Sequence, residues 1–90
     1  MAEGAQQPRP ATESKGTDLG DEYLFYDRER DQVHVLNGTA REIFLLCDGR
    51  RTETEVATAF ADRYEAHRDE ARKDAEETLR RLYDLGLLTH

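Results

Sequence analysis

The side chains that can act as nucleophiles, bases or metal ligands are few in this sequence and widely separated. The single cysteine, Cys47, lies on the apolar stripe of a predicted helix, where a free cysteine is typically a buried small hydrophobe. The histidines His34, His67 and His90 fall on a predicted strand, on a connector and at the last residue, without the spacing of a shared metal site. The sequence therefore predicts no catalytic residue and no metal.

Motifs for nucleotide cofactors are not found either. Neither G-x-x-x-x-G-K-[ST] nor G-x-G-x-x-G occurs, so no glycine-rich loop is available to hold phosphates. Glu76 and Glu77 precede Arg80 and Arg81 by four residues, a pairing that supports an exposed helix. These charges form either a solvated face or the charged rim of a groove. We predict a binding module without a cofactor.

Length and charge restrict the classes of partner. Ninety residues give one small domain, which is small enough to gain stability from a partner. The formal net charge of −7, with 37% charged residues, disfavours nucleic acid, because its binders carry clustered lysines and arginines. The sequence has no apolar run of about 18 residues and no basic start followed by an apolar segment. We expect a cytoplasmic protein that does not bind membranes.

The composition of the chain changes near residue 18. Residues 1–18 contain both prolines and few large apolar side chains, which is typical of a disordered arm, and residues 19–90 form the predicted domain. Short aromatic and alternating apolar patterns predict strands at residues 22–26 and 32–36, joined by a polar turn. Residues 11–15 are expected to form a further edge strand only if the sheet recruits them.

The first predicted helix follows the second strand almost directly. Thr39 and Glu42 have the spacing of a capping box that begins a helix, and Gly49 is predicted to end it. The apolar residues between them repeat at helical spacing and form one stripe, which consists of Ala40, Ile43, Phe44 and Cys47.

Two more helices complete the predicted fold. Thr52 and Glu55 form a second capping box, and the second helix carries the stripe Val56, Ala59, Phe60 and Tyr64. The third helix is predicted over residues 70–85, with Gly86 as the glycine that ends it. The order predicts an α+β class, winged helix-turn-helix-like, with a small N-terminal antiparallel sheet of two or three strands followed by three helices.

A small sheet of this kind leaves unpaired backbone groups on its outer strand. An extended peptide can add there as another strand, in a groove between the strand and a helix. We nominate residues 32–36 and the third helix, and a proline at His34 tests this if the N–H of that residue points outward. The alternative use of a winged helix is DNA binding, which Glu53 and Glu55 disfavour because they lie where phosphate contacts are needed.

Three segments together resemble the PqqD family, whose members are also grouped as recognition elements for RiPPs, the ribosomally synthesised and post-translationally modified peptides. The segments are L-N-x-T-A-x-x-I-F-x-L-C-D-G at residues 36–49, T-x-x-E-V at residues 52–56, and D-A-x-x-x-L-x-x-L-x-x-x-G-L-L at residues 74–88. The resemblance extends over about residues 22–88 of the chain.

The resemblance implies a non-catalytic protein that binds the leader segment of a precursor peptide and presents it to a modifying enzyme. In pyrroloquinoline quinone (PQQ) synthesis that enzyme is a radical SAM protein, and in lasso-peptide pathways the clients are a leader peptidase and a cyclase. The leader is expected to add as a strand and to pack on the third helix. By position, the implied peptide-binding residues are Gln32, Val33, His34, Val35, Leu36, Asp74, Thr78, Leu79, Arg81, Leu82 and Leu85.

The chain departs from the family pattern on the third helix. The family often has valine after the aspartate and phenylalanine three positions later, where this chain has Ala75 and Thr78. The pocket is therefore expected to be shallower or to suit a different leader. Two other hypotheses stay open, namely a DNA-binding regulator and an interaction subunit for an enzyme of a non-peptide pathway.

Overall fold

The computed structural model describes residues 6–11, 16–28 and 30–90. Its strands are β1 (Arg9–Pro10), β2 (Gly16–Asp18), β3 (Glu22–Asp27), β4 (Gln32–Asn37) and β5 (Leu88–Thr89). Its helices are α1 (Gly38–Leu46), α2 (Glu53–Ala61) and α3 (Arg68–Asp84), with a 3₁₀ turn at Glu65–His67. The predicted α+β class, a small antiparallel sheet followed by three helices, is confirmed.

Strands β2, β3 and β4 form one antiparallel sheet in that order. The β2–β3 hairpin turns at Gly20, whose φ is +92°, and the Leu19 N–H donates to the Glu22 carbonyl at 2.8 Å. Within the described part of the chain, β4 pairs with β3 along one edge only. The extra strand expected at residues 11–15 falls mostly on residues 12–15, which lie outside the described residues.

The described part of the N-terminal segment is bonded to the rest of the chain on two sides. On one side, β1 pairs antiparallel with β5, and Pro8 next to it is buried. On the other side, the carbonyls of Gln6 and Pro8 accept from the N–H groups of Glu53 and Gly49, each at 2.9 Å. Strand pairing therefore starts before residue 18, where the composition placed the end of a disordered arm.

The start of α1 differs from the predicted capping box. The helix begins at Gly38, with Asn37 as N-cap and without a side-chain cap hydrogen bond, so the Thr39–Glu42 prediction was wrong. Asn37 is still paired with Glu22 in the sheet, and Gly38, with φ of +47°, turns the chain directly into the helix. Thr39 is therefore already inside the helix, where its side chain cannot cap the first turn.

The other helix ends follow local sequence signals more closely. At α2, the Glu55 N–H donates to Thr52 Oγ1 at 3.1 Å and the Thr52 N–H donates to Glu55 Oε1 at 2.9 Å, which confirms the second capping box. After α3, Gly86 has φ of +77° and the Leu87 N–H donates back to the Leu82 carbonyl, as in a Schellman motif. Gly49 has the expected positive φ, but α1 already ends at Leu46.

The core lies between the helix-facing side of the sheet and the three helices. Phe44 of α1 packs on the sheet, with ring centroids 5.3 Å from Tyr23 and 5.8 Å from Phe25. The predicted helical stripes are largely buried, although Ala40 and Ala59 are only partly buried and Tyr64 is exposed beyond the end of α2. The buried apolar residues are Phe25, Leu36, Ile43, Phe44, Leu46, Cys47, Val56, Ala57, Phe60, Ala61, Ala71, Ala75, Leu79, Leu82, Leu87 and Leu88.

Candidate functional site

The open edge of β4 is the candidate site, and the register of the sheet decides which backbone groups face it. In an antiparallel pair, residues whose backbone groups bond to the neighbouring strand alternate with residues whose groups point away. The Leu19 N–H donates to the Glu22 carbonyl, and this bond sets the alternation. The backbone groups of even-numbered residues of β3 therefore point to β2, and those of odd-numbered residues point to β4. Since Phe25 is paired with His34, the backbone N–H and C=O groups of Val33 and Val35 point to the open edge.

The same alternation places the side chains of β4 on two faces of the sheet. Leu36 is buried against the helices and His34 is half-buried on the same face, whereas Val33 and Val35 are 61% and 52% exposed on the opposite face. Gln32, at the start of the strand, is exposed. The Nε2 atom of His34 is buried and has no hydrogen-bond partner among the described residues, so one polar group on the helix-facing side is unsatisfied.

The six residues nominated on the third predicted helix, of which Leu85 directly follows the end of α3, divide into two groups. Leu79 and Leu82 are buried in the core, where they support the helix. The other four are spaced by four, three and four residues, which puts them on one line along the helix. Along this line, one side chain is half-buried and three are exposed, in the order Asp74 (exposed), Thr78 (half-buried), Arg81 (exposed) and Leu85 (exposed). The line presents both polar and apolar groups.

Arg30, which the sequence did not single out, connects β4 to α3. Its Nη1 atom donates to the Leu85 carbonyl at 3.2 Å, at the C-terminal end of α3. Its Nε atom lies 3.9 Å from Asp27 Oδ2, at the start of the same β3–β4 turn. A cation at this helix end is favourable because the last carbonyls carry partial negative charge. The contact fixes the turn before β4 relative to the C-terminal end of α3.

A comparison with protein-family models identifies the family of this chain. The family described as coenzyme PQQ synthesis protein D (PqqD) matches residues 22–88, which contain β3, β4 and all three helices. The chain belongs to the PqqD family. The resemblance inferred from the three sequence segments is therefore confirmed. No curated protein and no solved structure matches the chain significantly.

PqqD-family membership indicates the general role of this chain. The family consists of non-catalytic accessory proteins that interact with peptides and enzymes of PQQ biosynthesis. Membership supports a peptide-binding accessory protein of the PQQ-synthesis type. Among the described residues of this PqqD-family chain, no helix is both long enough and apolar enough to cross a membrane.

The cysteine of the family's L-C-D-G segment has the environment of a core residue. Cys47 is buried, and its Sγ donates to the Ile43 carbonyl at 3.1 Å. Burial raises the pKa of the Cys47 thiol to about 12, with a further contribution from the charge of Asp48. Because the reactive form of cysteine is the thiolate, this thiol is unreactive near neutral pH. No group of three or more potential metal ligands occurs in the described ranges.

Proposed function

We propose that this protein is an adaptor that captures the leader segment of a ribosomally made precursor peptide and presents it to a separate modifying enzyme. The observation that carries the proposal is the open edge of β4, where the backbone groups of Val33 and Val35 point away from the sheet. An extended peptide satisfies these groups by adding as a fourth strand beside β2, β3 and β4. Family membership supports a peptide as the ligand.

The peptide makes main-chain hydrogen bonds with Val33 and Val35, and each bond contributes about 0.5–1.5 kcal/mol. Alternate side chains of the peptide then point toward α3. There they meet the helix-facing side chains of β4, His34 and Leu36, and the exposed line of α3. We assign the peptide site to Gln32, Val33, His34, Val35, Leu36, Asp74, Thr78, Arg81 and Leu85, with Leu79 and Leu82 supporting α3 from the core.

The line on α3 suits a leader with mixed chemistry. Leu85 offers an apolar contact near the Arg30 end, and Arg81 and Asp74 offer charged contacts farther along the helix. At the position where the family often has phenylalanine, this chain has the smaller Thr78, so the wall of the groove is lower there. We therefore propose a leader with a large apolar residue that occupies the space above Thr78.

The client of the adaptor is a RiPP-modifying enzyme, either a radical SAM protein or a leader peptidase with a cyclase. The adaptor itself supplies recognition, and the enzyme supplies the chemistry. We place this complex in the cytoplasm, where precursor peptides are made. Co-purification of the chain with the enzymes encoded beside it identifies which of these clients it serves.

The direct test is a titration of labelled leader segments, taken from short precursor peptides encoded near the gene, followed by fluorescence anisotropy. Val35→Pro removes an outward N–H, and we expect affinity to fall by at least about tenfold, from the lost hydrogen bond and the steric conflict of the ring. Val35→Ala keeps the N–H but also shortens the side chain, so the effect of the proline is measured relative to Val35→Ala. Unchanged binding by folded Val35→Pro protein would contradict strand addition at β4.

A second version of the test leaves the protein unaltered. Each leader residue in turn is N-methylated, which removes one peptide N–H at a time. We expect the loss of affinity to alternate along the peptide, because only every second residue bonds to β4. A loss that does not alternate, or no loss at any position, argues against an added strand.

A further inference from the structure

The face of the sheet that points away from the helices carries a continuous apolar surface. Val35 lies directly opposite Leu24, and Val33 lies directly opposite Tyr26. The valines are 61% and 52% exposed and Tyr26 is 42% exposed, in a chain of which 37% of the residues are charged. The Tyr26 hydroxyl donates to Asp31 Oδ1 at 2.6 Å, which fixes the ring beside Val33. We name Leu24, Tyr26, Val33 and Val35 the outer apolar block.

The outer apolar block reaches the open edge at the residues that bond an added strand. Val33 and Val35 have both their backbone groups at the edge and their side chains on the outer face. A peptide strand paired with β4 therefore places two of its own side chains, at positions i and i+2, beside these valines at about 4.5–5.5 Å between Cβ atoms. The peptide residue between them points to the other face, which is the helix-facing side of the sheet.

We propose that the captured peptide is recognised on both faces of the sheet. The inference rests on the function proposed above and adds to it a second specificity determinant: the outer apolar block selects peptides with β-branched or aromatic side chains at positions i and i+2. Such cross-strand pairs stabilise a sheet, and a charged residue at the same positions lacks this stabilisation because its neighbour is an apolar valine. The ligand class is thus an extended segment with at least two apolar residues on its solvent side.

The test uses a displayed library of random ten-residue peptides selected against the full chain. We expect enriched peptides to carry valine, isoleucine, tyrosine or phenylalanine at two positions separated by one residue. The double variant Val33→Thr/Val35→Thr keeps β-branched side chains and strand propensity but replaces one methyl group of each valine by a hydroxyl. We expect it to bind an enriched peptide about two- to thirtyfold more weakly, which corresponds to about 0.2–1 kcal/mol for each of the two side-chain pairs.

The matched control is Leu19→Thr. Leu19 is a 56% exposed apolar residue beside the β2–β3 turn, away from the β4 edge. We expect this variant to bind the enriched peptide with unchanged affinity. Replacing the peptide residues at i and i+2 by threonine is expected to weaken binding to the wild-type chain. The same peptide changes are expected to weaken binding to the Val33→Thr/Val35→Thr variant by a smaller factor.

The possible outcomes separate this inference from the proposed function. One outcome is that enriched peptides bind Val35→Pro more weakly than wild type but bind the double threonine variant as tightly as wild type. In that case recognition by the outer apolar block is refuted, and strand addition at β4 is retained. If enriched peptides are indifferent to Val35→Pro, or no peptide is enriched, both proposals fail. Analytical ultracentrifugation at the assay concentration measures whether the chain forms a dimer. A wild-type dimer that dissociates in the double threonine variant would show that a second copy covers the outer apolar block, and the inference would be overturned.

Discussion

His34 and Val35 are neighbours on β4, and their backbone groups point in opposite directions. The register directs the His34 N–H at Phe25 and the Val35 N–H at the open edge. The substitution His34→Pro, which the sequence suggested as a test, therefore removes a hydrogen bond within the sheet and leaves the backbone groups at the open edge unchanged. The substitution that addresses the site is one residue further along.

We predict that His34→Pro lowers the free energy of unfolding by at least about 2 kcal/mol, because it removes a hydrogen bond within the sheet and leaves a carbonyl of Phe25 unsatisfied. Val35→Pro is expected to cost clearly less, since edge strands tolerate proline where the N–H faces solvent. Urea unfolding of both variants measures the difference. A larger loss for Val35→Pro would show that the register is reversed.

Gly86 has a backbone conformation that is strained for any residue with a side chain. Its φ is +77° in the turn that ends α3, and a Cβ atom there would lie 3.0 Å from Nη1 of Arg30. We expect Gly86→Ala to destabilise the protein by about 1–2 kcal/mol in urea unfolding. Gly20→Ala is the control, because Gly20 has φ of +92° but open space around it. An equal or smaller loss at Gly86 would exclude a contribution from the Arg30 contact.

At the scale of elements, one ion pair joins the first strand of the three-stranded sheet to α1. Arg41 donates to both carboxylate oxygens of Asp18, at 2.9 Å and 2.7 Å. This hydrogen bonding, assisted by the Gly20 N–H, holds the pKa of Asp18 below its ordinary value of 3.8. Because the pKa is lower in the folded state, the stabilisation is present above about pH 4 and is lost as pH falls through the folded pKa.

We predict that Arg41→Met raises the pKa of Asp18 toward 3.8 and makes unfolding less sensitive to acid below about pH 4. An NMR titration of the Asp18 carboxyl carbon measures the first effect, and urea unfolding at several pH values measures the second. Arg72→Met, which changes an exposed arginine on α3, is the control. An unchanged pKa of Asp18 in Arg41→Met would mean that the ion pair does not persist in solution.

At the scale of the whole molecule, the segment 6–11 joins the two ends of the chain. Pro8 is buried and its carbonyl accepts from Gly49, whereas Pro10 is exposed on β1. We predict that Pro8→Ala destabilises the protein by about 1–2 kcal/mol, from the lost apolar burial. Pro10→Ala is the matched control and is expected to change stability by less than about 0.5 kcal/mol. Equal losses of stability for Pro8→Ala and Pro10→Ala in urea unfolding would contradict the burial of Pro8.

Local sequence signals predicted the parts of the fold that depend on neighbouring residues. The Thr52–Glu55 capping box and the Gly86 helix end each involve a few consecutive residues, and both are present. The start of α1 was not predictable in the same way, because Asn37 is held by its pairing with Glu22 in another strand. Local patterns do not contain that competing interaction.

The candidate site also depends on contacts that local sequence patterns do not contain. The motif resemblance placed it on β4 and α3, but which backbone groups of β4 face the open edge depends on a hydrogen bond at Leu19, in a different hairpin. Arg30 was missed because its partner, the Leu85 carbonyl, is 55 residues away along the chain. The resemblance named Asp74, Thr78, Arg81 and Leu85 by position, and only their burial in the structure separates them from the core residues Leu79 and Leu82.

The central claim, that β4 offers the backbone groups of Val33 and Val35 to a peptide, is tested most directly by residue-resolved amide hydrogen exchange. In the free protein, we expect the amides of His34 and Leu36 to exchange slowly and those of Val33 and Val35 to exchange rapidly. Saturation with a bound leader segment is expected to slow exchange at Val33 and Val35 by at least about tenfold. Val33 and Val35 amides that are already protected in the free protein, or that stay unprotected when the peptide is bound, would contradict the account.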